Sequence, residues 1–90
     1  MKESDIEKEV VLYAKSLGFL AYKLRGAETG LPDRMFLKNG TAAFIEFKTP
    51  KGRLSRRQEA ICEAFKAERI LVFVIDNAEE GKRVLKGLRL

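Results

Sequence analysis

The run Ala42-Ala43-Phe44-Ile45-Glu46-Phe47-Lys48, with Gly40 behind it and Pro50 ahead, most narrows what this chain can fold into. Its Phe-Ile-Phe content favours strand, and the flanking Gly and Pro bound it. Along a strand, alternate side chains share a face and each residue advances about 3.3 Å. The pattern therefore predicts Phe44, Glu46 and Lys48 on one face and Ala43, Ile45 and Phe47 on the other. An acid and an amine then stand side by side on a strand otherwise built for burial. Upstream, Asp33 to Leu37 reads as a partner strand, joined through Lys38-Asn39-Gly40 in a hairpin. That hairpin carries Asp33 to the far end of its partner, beside Glu46 and Lys48.

These three groups suit one chemistry. Two carboxylates form a hard oxygen site for Mg²⁺, which keeps several waters and leans on one or two protein carboxylates plus substrate phosphate. Such an ion polarises a phosphoryl oxygen and acidifies a bound water. A lysine beside it holds the water or meets the charge growing on phosphate. The competing reading of Glu46 and Lys48 is a surface cross-face pair of little energetic worth. Asp33 across the hairpin favours the phosphodiester reading.

Composition removes the alternatives. No histidine is present, which excludes Ser-His triads, His-based acid–base catalysis and His-ligated zinc. The single cysteine, Cys62, allows no disulfide within the chain and no thiolate cluster. It lies in a helical pattern with Ile61 and Phe65 and reads as a packed small hydrophobe. The net charge of +5 favours a polyanionic partner. Lys48, Lys51, Arg53, Arg56 and Arg57 follow one another without an intervening acid, directly downstream of the proposed site. A solvated loop and helix start is the competing account of that run.

Along the chain, Ile6, Val10, Tyr13, Ala14 and Leu17 recur at helical spacing, predicting a helix over Ser4 to Leu17 that stops at Gly18. Ser4-X-X-Glu7 reads as a capping box, and Glu7 also lies at the rim of the buried stripe, so a cap and a site role both stand. Ser55-X-X-Gln58 offers the same two readings. Phe19 to Leu24 alternates as a first strand. A glycine-punctuated loop with Arg25 at its base follows, and Pro32 sets the extended entry of Asp33. Ser55 to about Glu68 reads as a second helix with Ile61, Ala64 and Phe65 inward. Ile70 to Ile75 reads as a strand covered on both faces and paired in parallel with the Glu46 strand. Asn77 caps a last helix, with Val84, Leu85 and Leu88 inward and Lys82, Arg83, Lys86 and Arg89 in water. The order is α-β-β-β-α-β-α in one domain over residues 1–90, with a mixed four-stranded α/β sheet between helices. Its ninety residues contain no apolar run of membrane-spanning length. The charged opening Met-Lys-Glu-Ser-Asp lacks a signal region, so the cytoplasm is the expected location.

Gly-Leu-Pro-Asp (30–33), Phe-Ile-Glu-Phe-Lys-Thr-Pro (44–50), Gly52, Leu54, Ser55 and Gln58 together resemble the VRR-NUC family of the PD-(D/E)XK nuclease superfamily, whose stand-alone phage and bacterial members are nearest to this chain in size. The likeness extends to Glu-Ser-Asp-Ile-Glu (3–7), covers nearly the whole chain and shows no departure at the central motif. It implies a restriction-endonuclease-like sandwich. It further implies Asp33 and Glu46 as ligands of Mg²⁺ or Mn²⁺, with the Phe47 main-chain carbonyl as an extra ligand. By the same resemblance Lys48 assists the water, Glu7 completes the site and Gln58 follows on the next helix. The activity so expected is metal-dependent endonucleolytic cleavage of DNA by a homodimer, with four-way junctions as a structured substrate. Lys51, Arg53, Arg56, Arg57 and Arg25 are the expected nucleic-acid contacts. An idle nucleic-acid-binding module, an RNA-directed nuclease and a nuclease subunit are the alternatives.

Overall fold

Asn39 and Gly40 both adopt positive φ, 47° and 80°, the geometry of a two-residue hairpin turn whose twist matches its strands. The turn joins β2 (Arg34–Lys38) to β3 (Thr41–Phe47) and pairs Arg34 with Ile45 and Lys38 with Thr41. The computed structural model describes residues 2–24 and 29–88. Around the hairpin stand α1 (Glu3–Ser16), β1 (Leu20–Lys23), α2 (Arg56–Ala67), β4 (Leu71–Ile75) and α3 (Ala78–Gly87). The sheet order is β1-β2-β3-β4, antiparallel except for the parallel β3–β4 pair. This is the expected element order and the expected mixed sheet.

The sheet has two unequal faces. On one, Phe36, Ile45, Phe47 and Ile75 pack with Ile6, Val10 and Ala14 of α1 and Leu85 of α3 into the core. Gly81 lets the two helices close up: a Cβ there would stand 2.6 Å from Val10 Cγ2. The other face carries α2 over β3 and β4, where the Phe65 ring meets Phe44 edge-on at 5.0 Å. Beyond α2 that face is apolar and, among the described residues, uncovered, with Leu20 56 % and Tyr22 51 % exposed.

Four local expectations need correction. Helix α1 begins at Glu3, one residue before Ser4, so no box forms between Ser4 and Glu7; the Asp5 carboxylate instead accepts from the Lys2 backbone N–H at 3.2 Å. Strand β4 is an edge strand with Val74 45 % exposed rather than covered on both faces, because α2 crosses only part of it. Ala64 is exposed and Cys62 takes the inward position on α2. Lys82 is paired with Glu9 at 2.7 Å rather than free in water. Asn77 does cap α3, accepting from the Glu80 N–H at 2.8 Å; Arg89 lies outside the described residues.

Candidate active site

Asp33 immediately precedes β2, where the Leu24 N–H donates to its carbonyl at 3.0 Å. Its side chain reaches across the hairpin, and Oδ2 accepts from the Phe47 backbone N–H at 2.8 Å. An extended residue sends its N–H and C=O to the same side of the strand, so the Phe47 carbonyl is directed toward Asp33 as well. Glu46, one residue earlier on β3, faces α2 and is only 2 % exposed. Its Oε2 accepts from Gln58 Nε2 at 3.0 Å and lies 3.4 Å from Lys48 Nζ. Its Oε1 is buried with no hydrogen-bond partner among the described residues.

A carboxylate oxygen buried without a donor is costly unless something positive meets it. The electrostatics agree with that strain. Burial, then the neighbouring Asp33 charge, pushes the Glu46 carboxyl up to about 7, against the pull of Lys48. Asp33 is raised too, chiefly by burial, with the Phe47 amide opposing and the charges of Glu7 and Glu3 adding. Two carboxyls both raised by burial, one of them raised further by the charge of the other and holding an oxygen with no donor among the described residues, fit a divalent cation. Among the described residues no group of three or more acidic or thiol side chains forms a metal cage. A two-carboxylate site of this kind suits an ion that retains water and takes further oxygens from substrate.

Gln58 closes the expected capping box and also reaches Glu46. Its Oε1 accepts from the Ser55 N–H at 2.9 Å while Ser55 Oγ accepts from the Gln58 N–H at 3.1 Å, closing the capping box; the same amide's Nε2 holds Glu46. Glu7 is no cap. It accepts from Arg34 Nε at 2.6 Å, on the α1 side of β2, and reaches Asp33 through its charge. Glu3, one turn before Glu7 on α1, also bears on the site, since its charge raises both Asp33 and Glu46. The signal was present, since Glu3 and Glu7 are four residues apart and share one helix face.

Of the expected basic contacts, Lys51, Arg53 and Arg56 are exposed on the loop and first turn of α2 beside the site. Arg57 donates from Nε to the Thr29 carbonyl at 3.0 Å. Arg25 lies outside the described residues. Cys62 is buried, and burial followed by the Glu46 charge pushes its thiol up, away from the reactive thiolate.

The sequence model of the VRR-NUC domain matches residues 7–79. The chain belongs to the VRR-NUC family. A solved structure described as a VRR_NUC domain superposes with a TM-score of 0.86 at 25 % identity, covering 96 % of each chain. No relative among curated proteins matches. The VRR-NUC assignment carries a nuclease-type fold, with DNA as the implied substrate. Asp33, Glu46, Lys48 and Gln58 fall within the matched segment, which opens at Glu7 and leaves Glu3 just outside. Among the described residues no helix is long and apolar enough to cross a membrane.

Proposed function

We propose that this VRR-NUC chain is a divalent-metal-dependent endonuclease that hydrolyses DNA phosphodiester bonds by in-line attack of water. The observation that carries this reading is the buried Glu46 Oε1, without a donor among the described residues and beside Asp33 and Lys48. Asp33, Glu46 and the Phe47 carbonyl are the groups to hold Mg²⁺ or Mn²⁺. The bound ion supplies Lewis acidity toward a phosphoryl oxygen and lowers the pKa of water. Lys48 holds the attacking water and offsets negative charge developing on the phosphate. Gln58 fixes the rotation of the Glu46 carboxylate from the first turn of α2. Glu7 supports the site at one remove, through its charge on Asp33. Lys51, Arg53 and Arg56 grip the DNA backbone, a sequence-independent and salt-sensitive contact.

Homodimerisation and preference for branched DNA, with four-way junctions as the structured substrate, belong to the same proposal. The support is the uncovered face of the sheet. The cross-strand rows Leu20–Leu37–Ala42 and Tyr22–Met35, on the part of that face beyond α2, carry no cation to repel a second copy. They lie on the same face as Glu46. Two copies joined there would present two sites and a wider basic surface, and two-fold pairing is the commonest arrangement. Location in the cytoplasm is part of this reading.

The test is a cleavage assay on labelled linear, flapped and four-way DNA, and on matched RNA, with Mg²⁺, Mn²⁺ or EDTA. Cleavage of DNA with metal and none in EDTA supports the reading. Full activity in EDTA ends it, and binding of DNA without cleavage under any metal identifies an idle module instead.

A further inference from the structure

Consecutive residues in the first turn of α2 reach the two carboxylates by different routes. Gln58 holds Glu46 directly. Arg57 instead donates from Nε to the carbonyl of Thr29, in the segment that runs through Gly30, Leu31 and Pro32 into Asp33. The approach is close in backbone as well as side chain. A Cβ on Gly30 would stand 2.6 Å from Arg57 Cγ and 3.2 Å from the Arg57 carbonyl carbon, and Gly30 has a φ of +93° that side chains disfavour. Beyond Gly30 the path is stiff. Pro32 is fully buried and has a fixed φ, and Leu31 is restricted by preceding it. A shift at Thr29–Gly30 is therefore passed on to Asp33 rather than absorbed.

We infer that Arg57 acts as a positioning residue, clamping the Thr29–Gly30 turn against α2 so that Asp33 meets the Phe47 amide and faces Glu46. The first turn of α2 then aligns both carboxylates, one through Gln58 and one through Arg57. This departs from the phosphate contact expected of Arg57 from its charge, and it rests on the reading of Asp33 as a cation ligand.

The experiment compares the full chain with R57A and R57K. Lysine keeps the charge but has a methylene where arginine has Nε–H, so it preserves a phosphate contact and not the clamp. The Phe47 amide reports Asp33 placement directly, without metal or DNA, through its hydrogen exchange. Both variants should speed Phe47 exchange about tenfold, the scale of one lost hydrogen bond. The Lys48 amide, which donates to the Ile75 carbonyl at 2.9 Å, should keep its rate. Mn²⁺ affinity by calorimetry should fall in both, while R57K leaves KM for DNA and its salt dependence unchanged. Wild-type Phe47 exchange and Mn²⁺ affinity in R57K would overturn the inference, the more so if R57A raises KM and lowers the salt slope by about 1. G30A disturbs the same contact from the other side and should also speed Phe47 exchange; no change there counts equally against the clamp. If the wild-type protein binds no Mn²⁺, the metal reading fails, and the Phe47 exchange rates still decide the role of Arg57.

Discussion

Gln58 Nε2 donates to Glu46 Oε2 at 3.0 Å while Gln58 Oε1 closes the capping box of α2. One amide thus ties the start of a helix to a buried carboxylate, and the two functions separate by mutation. Ser55→Ala removes the cap alone and should lower stability by about 1 kcal/mol with little change in kcat. Gln58→Ala should lower stability by a similar amount and also slow single-turnover cleavage about tenfold or more, because Glu46 loses its orienting donor. Urea unfolding and single-turnover kinetics on the two variants check this.

Glu46 predicts an inverted pH response. Its carboxyl is pushed from 4.5 to about 7 on folding, so the folded state holds the proton more tightly than the unfolded state does. Its contribution is complete below pH 4.5 and is lost as pH rises through 7. The loss is on the order of 3 kcal/mol, from the size of that shift. Metal-free wild type minus Glu46→Gln should show this fall in denaturant titrations between pH 4 and pH 8. Saturating Mn²⁺ should reverse it, since the ion binds the deprotonated form.

Lys48 stands 3.4 Å from Glu46 Oε2 but supplies no lone pair while charged. Lys48→Ala should reduce cleavage by about 10²–10³, the scale of one lost transition-state contact, and leave Mn²⁺ binding in place. Loss of the ion in calorimetry would mean that Lys48 has been assigned the wrong role.

The exposed cations Lys51, Arg53 and Arg56 should act through phosphate alone. Each alanine variant should weaken DNA binding uniformly across sequences and reduce the log–log salt slope by about 1. Fluorescence anisotropy across a salt series measures this, with kcat at saturating DNA unchanged.

Much of the candidate site is legible in the sequence. Alternation placed Glu46 and Lys48 on one face, and Lys38-Asn39-Gly40 brought Asp33 across to them, because strand periodicity and turn chemistry are local. The element order followed for the same reason. What escaped was tertiary. Whether Glu7 caps a helix or pairs with Arg34 depends on where α1 starts and which strand it crosses, and neither is written in Ser4-X-X-Glu7. The exposure of Val74 and Ala64 depends on how far α2 reaches over the sheet. The tight approaches of Gly30 to Arg57 and of Gly81 to Val10 join residues far apart in sequence, where a glycine is only a glycine until its neighbour is known. Arg57 shows the limit plainly: nothing in its charge or spacing foretold that its Nε meets the Thr29 carbonyl.

The central claim is that Asp33 and Glu46 form a cation site, and calorimetric titration of Mn²⁺ at pH 8 tests it most directly. Wild type should show saturable binding that Asp33→Asn and Glu46→Gln each abolish, with both variants still folded by circular dichroism. Undiminished Mn²⁺ binding in folded Glu46→Gln, or none in wild type, would contradict the account.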